Sequence, residues 1–169
     1  HYVFNGKGHI AEIDRGKELK DPEQLVLRGL QLAEQHGASL IGVEDVAYQS
    51  TLLFWFSKYM TDLNVKGIEV VPLKPKNRAK EQRIRLFIAE LYANNYYLFE
   101  RVKPAFVWQA MSYKIGKKDN KDDLLDACAY GLDVRNEYWH LVKNLRTAGR
   151  TMIQAAVVMN NNPIRVIGR

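Results

Sequence analysis

The chain has 169 residues, 47% of them hydrophobic and 26% charged, a net charge of +6 and one cysteine. That length holds one domain with a proper core rather than two, and the balance of apolar and charged residues excludes wholesale disorder. No apolar run approaches the roughly 20 residues that span a bilayer, the first residues lack a signal-peptide pattern, and the lone Cys128 excludes an internal disulfide framework, so a reducing, cytoplasmic setting with no membrane partner is expected.

The positive charge is clustered. Residues 74–85 hold six Lys or Arg against one Glu, and residues 134–169 hold the same balance. Clustering of this kind suits a phosphate backbone, whose neutralisation releases condensed counterions; it equally suits a solvated basic face.

In chain order, residues 2–4 and 9–14 read as short strands around Asn5-Gly6-Lys7-Gly8, which tolerates positive φ. Asp21 as N-cap, Pro22 at the first helical position and Gln24 at capping-box spacing start a helix that Gly37 ends. Residues 39–43 form an apolar run of the kind buried in a parallel sheet, with Glu44 and Asp45 where it stops. A helix over about 49–60 and a strand over 68–73 follow. A basic, Pro-containing loop then leads to an amphipathic helix over about 78–93, with Ile84, Phe87, Ile88 and Leu91 on one face. Tyr96–Phe99 reads as a strand, Pro104 opens a helix to about Tyr113, and a polar loop at 116–121 precedes a helix from Asp122. A turn is expected at 160–163. The order, a hairpin followed by alternating helices and strands, predicts an α/β fold with helices covering a mixed sheet.

Several chemistries are missing. There is no phosphate-cradling Gly-Lys-Ser/Thr loop, no GxSxG, no CxxC, no HExxH and no GxGxxG, so ATP hydrolysis by this chain is not expected. The four histidines are scattered, against a zinc site. Cys128 sits among leucines and reads as a buried small hydrophobe. Carboxylates, however, lie where a hard cation would want them. Glu44 ends a buried strand, and ligands in open α/β sheets bind beyond the carboxyl ends of strands. Asp122, Asp123 and Asp126 lie in the first turns of a helix, with Asp126 on the same side as the other two by spacings of four and three. Acidic residues there also stabilise a helix through its dipole, by about 0.3–1 kcal/mol each. That accounts for Asp122 and Asp123 as well as a metal does, for Asp126 less well, and for Glu44 not at all.

Three segments carry a resemblance. Leu40-Ile-Gly-Val-Glu44-Asp-Val-Ala-Tyr-Gln49 resembles the strand and loop bearing the second catalytic acid of the nuclease domain of viral (bacteriophage or prophage) terminase large subunits. Lys80-Glu-Gln-Arg83-Ile84 resembles that family's Lys-x-x-Arg-Ile helix start, and Asn120-Lys-Asp-Asp-Leu-Leu-Asp126-Ala-Cys-Ala-Tyr130 its closing Asp-Asp-x-x-Asp-Ala helix. His9-Ile-Ala-Glu-Ile-Asp-Arg-Gly is similar to its third strand and turn. The likeness runs in order over about residues 1–135.

The resemblance implies an RNase H-like fold, a mixed central sheet flanked by helices. It implies a metal-dependent endonuclease that hydrolyses phosphodiester bonds of concatemeric double-stranded viral DNA. Two Mg²⁺ or Mn²⁺ ions, about 3.5–4 Å apart, would lie on acids from the first strand, the fourth strand and the last core helix. Carried over by motif, Glu44 is the fourth-strand ligand, Asp123 and Asp126 are the helix ligands, and Asp122 is a supporting or alternate ligand. Lys74, Lys76, Arg78, Lys80 and Arg83 would face DNA. The strand bearing the first acid has no room before the hairpin and is expected outside the chain, leaving residues 1–146 as an incomplete nuclease domain, inactive alone, and 147–169 as a basic extension. Further partners implied are an upstream ATPase domain in the same polypeptide, the portal protein and the small terminase subunit, at the packaging motor in the host cytoplasm. Two alternatives stay open: another RNase H-like nuclease such as a Holliday-junction resolvase, and a non-catalytic DNA-binding module of the same fold.

Overall fold

The computed structural model describes residues 2–4, 7–14, 21–44, 50–74, 79–117, 119–146 and 154–159. In chain order the elements are β1 (Tyr2–Phe4), β2 (Lys7–Ile10), α1 (Pro22–Gln35), β3 (Ala38–Glu44), α2 (Ser50–Asp62), β4 (Glu69–Leu73), α3 (Lys80–Tyr92), β5 (Tyr96–Leu98), α4 (Lys103–Ser112), α5 (Asp123–Arg146) and β6 (Gln154–Met159). The expected α/β organisation is present, and the sheet is mixed, in the order β4-β3-β6-β1-β2-β5. The β3–β4, β3–β6 and β2–β5 pairs are parallel, whereas β1 runs antiparallel to both β2 and β6.

One expectation needs correction. Residues 147–169 were to be an extension beyond the domain, yet residues 154–159 form the strand joining the two halves of the sheet. β6 pairs with β3 from Ala38↔Ala155 to Val43↔Met159, through a register shift between Ala38 and Leu40, and with β1 at Tyr2↔Ala155 and Val3↔Gln154. Its sequence, QAAVVM, is short and apolar, and such a run can complete a sheet wherever two open edges face each other. A smaller difference lies at β2, which stops at Ile10, so residues 11–14 continue as irregular chain.

Local chemistry explains the boundaries that matter. Asp21 caps α1 by accepting from the Gln24 amide at 2.7 Å, Pro22 follows at the first helical position, and Gly37 leaves the helix at φ 59°, where glycine is unstrained. β3 is buried on both faces, with a two-residue alternation that decides everything downstream. Ile41 and Val43 pack with Val26, Leu30, Leu52 and Phe56 of α1 and α2, while Leu40 packs with Val71, Leu73, Tyr130 and Val134 under α5. Gly42 shares the α5 side. A Cβ there would meet Leu73 Cδ1 at 2.7 Å and Val134 Cγ2 at 3.1 Å, so its absence lets α5 press against the strand. Ile84, Phe87, Phe106, Leu125, Cys128 and Ala129 build the remaining core between α3, α4 and α5. Burying each large side chain of this kind contributes about 1.5–3 kcal/mol. Among the described residues no helix is long and apolar enough to cross a membrane.

Candidate carboxylate and cation site

By the same alternation Glu44, at the carboxyl end of β3, lies on the α5 side of the sheet with Leu40 and Gly42. There its Oε1 accepts a 2.8 Å hydrogen bond from the Tyr130 hydroxyl. Burial, followed by this bond and the Glu44 charge, pushes the Tyr130 hydroxyl pKa well up, so it stays a proton donor. The Arg83 guanidinium lies over the Tyr130 ring, 4.2 Å from its centroid, a cation–π arrangement strengthened by desolvation. Arg83 Nη2 donates to Asp126 Oδ1 at 2.8 Å. Asp126, one turn before Tyr130 on α5, is 2% exposed and Arg83 is 5% exposed. The other Asp126 oxygen lies 3.7 Å from Lys80 Nζ, which sits 2.7 Å from Asp122 Oδ1. One chain of contacts therefore runs Glu44, Tyr130, Arg83, Asp126, Lys80, Asp122.

The two cations respond to this surround. Burial works against the charge on Lys80, but the Asp122 hydrogen bond and the charges of Asp126, Asp122 and Asp123 outweigh it, and its pKa rises. Burial opposes Arg83 likewise, and Asp126, Tyr130 and Glu44 more than offset it. Both therefore stay charged, as a buried carboxylate demands of its neighbours.

The geometry of α5's start is set from α4. Gln109, buried on the inner side of α4, accepts from the Leu124 and Leu125 amides at 2.8 and 2.9 Å. These are first-turn N–H groups with no partner inside the helix. The Asp126 amide bonds the Asp122 carbonyl at 2.8 Å, closing the first turn.

Set against the expectations, Glu44 and Asp126 do lie at one end of the sheet and both act on Arg83. The convergence of Glu44, Asp123 and Asp126 on one cation is not formed: among the described residues no three His, Cys, Asp or Glu side chains group as a metal site. Asp122, the alternate, shares a cation with Asp126, while Asp123 is partly exposed and its charge also acts on Lys80. Arg83 was expected to face a DNA backbone; it is interior instead, because it falls one turn before Phe87 on the buried stripe of α3. Lys80 is half-buried and turned to the acids, and Lys74 is exposed just after β4. Lys76 and Arg78 lie outside the described residues. β6, the central strand beside β3, brings no carboxylate. Sequence reasoning missed Tyr130 and Gln109. The signal for Tyr130 was its place one turn after Asp126; for Gln109, a polar residue in phase with Phe106 and Val102.

A hard cation fits part of this arrangement. Asp122 and Asp126 direct carboxylate oxygens, the donors that Mg²⁺ and Mn²⁺ take, at a point already held by a positive group, the Lys80 ammonium. Comparisons of the chain with known protein families, curated proteins and solved structures find no match.

Proposed function

We propose that this is the hydrolytic centre of a metal-dependent endonuclease with an RNase H-like fold, of the kind found in DNA-packaging terminase large subunits. The observation that carries the reading is the Lys80 ammonium shared by Asp122 and Asp126, a cation position beside the strand end that presents Glu44. The mixed sheet with helices on both faces supports the fold assignment. Asp122 and Asp126 would hold Mg²⁺ or Mn²⁺ in place of Lys80, with Glu44 at the neighbouring strand end brought in on metal binding. Such an ion, when bound, supplies an activated water and neutralises the leaving oxygen of a phosphodiester. The chain's own residues do the positioning: Tyr130 fixes the Glu44 carboxylate, Arg83 holds one oxygen of Asp126, and Gln109 fixes the turn bearing Asp122. Double-stranded DNA is the proposed substrate; an ATPase domain, a portal protein and a small terminase subunit are the partners this reading carries with it.

The test is nicking of supercoiled plasmid with Mn²⁺ or Mg²⁺, read beside the metal's effect on the thermal midpoint. Full-length wild-type protein should nick, stop with chelator and gain thermal stability from Mn²⁺. Asp122→Asn and Glu44→Gln should lose both effects while keeping native circular dichroism. Neither nicking nor a Mn²⁺-dependent midpoint shift in wild type sinks the reading.

A second reading has its own support. Arg83 and Lys80 already neutralise the buried acids, and the central strand beside Glu44 carries none. The same site then serves as an internal ion-pair network of a nucleic-acid-binding module, which predicts DNA binding that is indifferent to Mn²⁺.

A further inference from the structure

Beside the acid site the surface changes character. Gln109 and Phe106 anchor the inner side of α4, which leaves Val107, Trp108 and Met111 pointing out, followed by Ile115 one turn later. Trp108 is 56% exposed, Met111 83% and Ile115 64%, an unusual concentration for so short a stretch of surface. The same stretch is strongly basic: residues 101–121 hold six Lys or Arg against Asp119 alone. Lys114, Lys117 and Lys121 are all exposed, and Lys121 Nζ lies 6.0 Å from the Trp108 ring centroid.

The loop carrying these lysines is held in shape. Asn120 accepts from the Lys114 amide at 2.9 Å and donates to the Lys114 and Lys117 carbonyls at 2.6 and 2.8 Å. Gly116, at φ 77°, donates its amide to Glu81 Oε2 at 3.0 Å. Glu81 follows Lys80, so the loop is tied to the helix that serves the acids, and its other end runs into Asp122. Burial and then the charges of Glu81 and Asp122 raise the pKa of Tyr113, at the junction of α4 and the loop, which marks how near the two regions lie.

We propose that the outer side of α4 and the adjoining loop residues 114–117 and 119–121 form a platform for single-stranded nucleic acid, Trp108 stacking on an unpaired base and Lys114, Lys117 and Lys121 following the phosphates. The proposal relies on the nuclease reading only in calling that strand part of the substrate. An exposed aromatic ring with one lysine beside it and two more on the adjoining loop is the chemistry that binds bases without sequence preference. A protein partner fits less well, since lysine is depleted at the centre of protein interfaces. A membrane surface fits less well too, because the inner half of α4 is fixed in the core and only a narrow apolar stripe is left to insert.

The experiment measures binding of a fluorescein-labelled 20-nucleotide DNA, single-stranded or as a blunt duplex, in EDTA so that cleavage plays no part. Wild type should prefer the single strand. Trp108→Ala should weaken single-strand binding roughly tenfold and leave duplex binding unchanged, and Trp108→Phe should restore most of the loss. Neutralising Lys114, Lys117 and Lys121 together should flatten the salt dependence by about 0.7 per lost contact. Equal loss on single strand and duplex, or no loss with Trp108→Ala, would overturn the proposal. Because binding is read without metal, the platform can fail while plasmid nicking succeeds, or the reverse.

Discussion

Arg83 and Asp126 form a pair whose two members depend on each other. Both are buried, so removing one strands a charge in a poorly solvated place, at a cost of about 3–5 kcal/mol; an apolar pair of similar volume is often neutral by comparison. Arg83→Met alone should therefore lower stability by that amount, and Arg83→Met with Asp126→Leu should recover most of it, as read from urea midpoints. A double variant no better than the single would show that Tyr130 stacking, and not the ion pair, gives Arg83 its value. Cys128 offers a second check at this scale. Burial pushes its thiol pKa up to about 12, leaving a thiolate fraction of about 10⁻⁴ at pH 8. Raising the pKa of a thiol removes the reactive form at neutral and mildly alkaline pH, so folded protein should resist a disulfide reagent at pH 8 and react once denatured. Rapid reaction of the native chain would place the thiol nearer solvent.

The elements differ in how far their sequences disclosed them. Asp21, Pro22 and Gly37 bracket α1 because capping and positive-φ chemistry act over a few neighbouring residues. β3 was equally plain, an apolar run between turn signals. α3 was legible as a helix, but the burial of Arg83 was not: it lies one turn before Phe87 on the inner stripe, and its partners Asp126 and Tyr130, which make burial of that charge tolerable, are more than forty residues away. β6 was hidden because nothing local distinguishes a six-residue apolar run in a tail from a strand; its assignment rests on two open edges supplied by β1 and β3. The candidate acids were found from placement and spacing, whereas the cation between Asp122 and Asp126 depends on where α3 meets α5. A sharp expectation follows for the strand. Val157→Pro removes a ladder hydrogen bond from the middle of the sheet, where proline is scarcely tolerated, and should cost about 3 kcal/mol or more. A chain that keeps its wild-type thermal midpoint with that substitution would return 154–159 to the status of an extension.

At the scale of the molecule, two cores lie on opposite faces of the sheet, one under α1 and α2, the other under α3, α4 and α5. β3 is part of the first through Ile41 and Val43 and meets α5 on the other face through Leu40, since successive side chains point to opposite faces, and β6 ties β3 to the hairpin. The two cores should therefore melt together. Tryptophan fluorescence and far-UV circular dichroism are expected to give coincident urea transitions. After truncation behind Arg146 the transitions should separate or lose cooperativity.

The position of β6 also bears on how the protein is made. It is the last of the described strands to leave the ribosome, yet its neighbours on either side, β1 and β3, are among the first. A nascent chain that has completed α5 holds two partial sheets, each with a row of main-chain donors and acceptors still open. Such edges recruit strands from other chains as readily as their own. The fold is thus completed only after the 154–159 segment emerges. Soluble yield is therefore expected to vary with the temperature and chaperone supply during synthesis as much as with final stability.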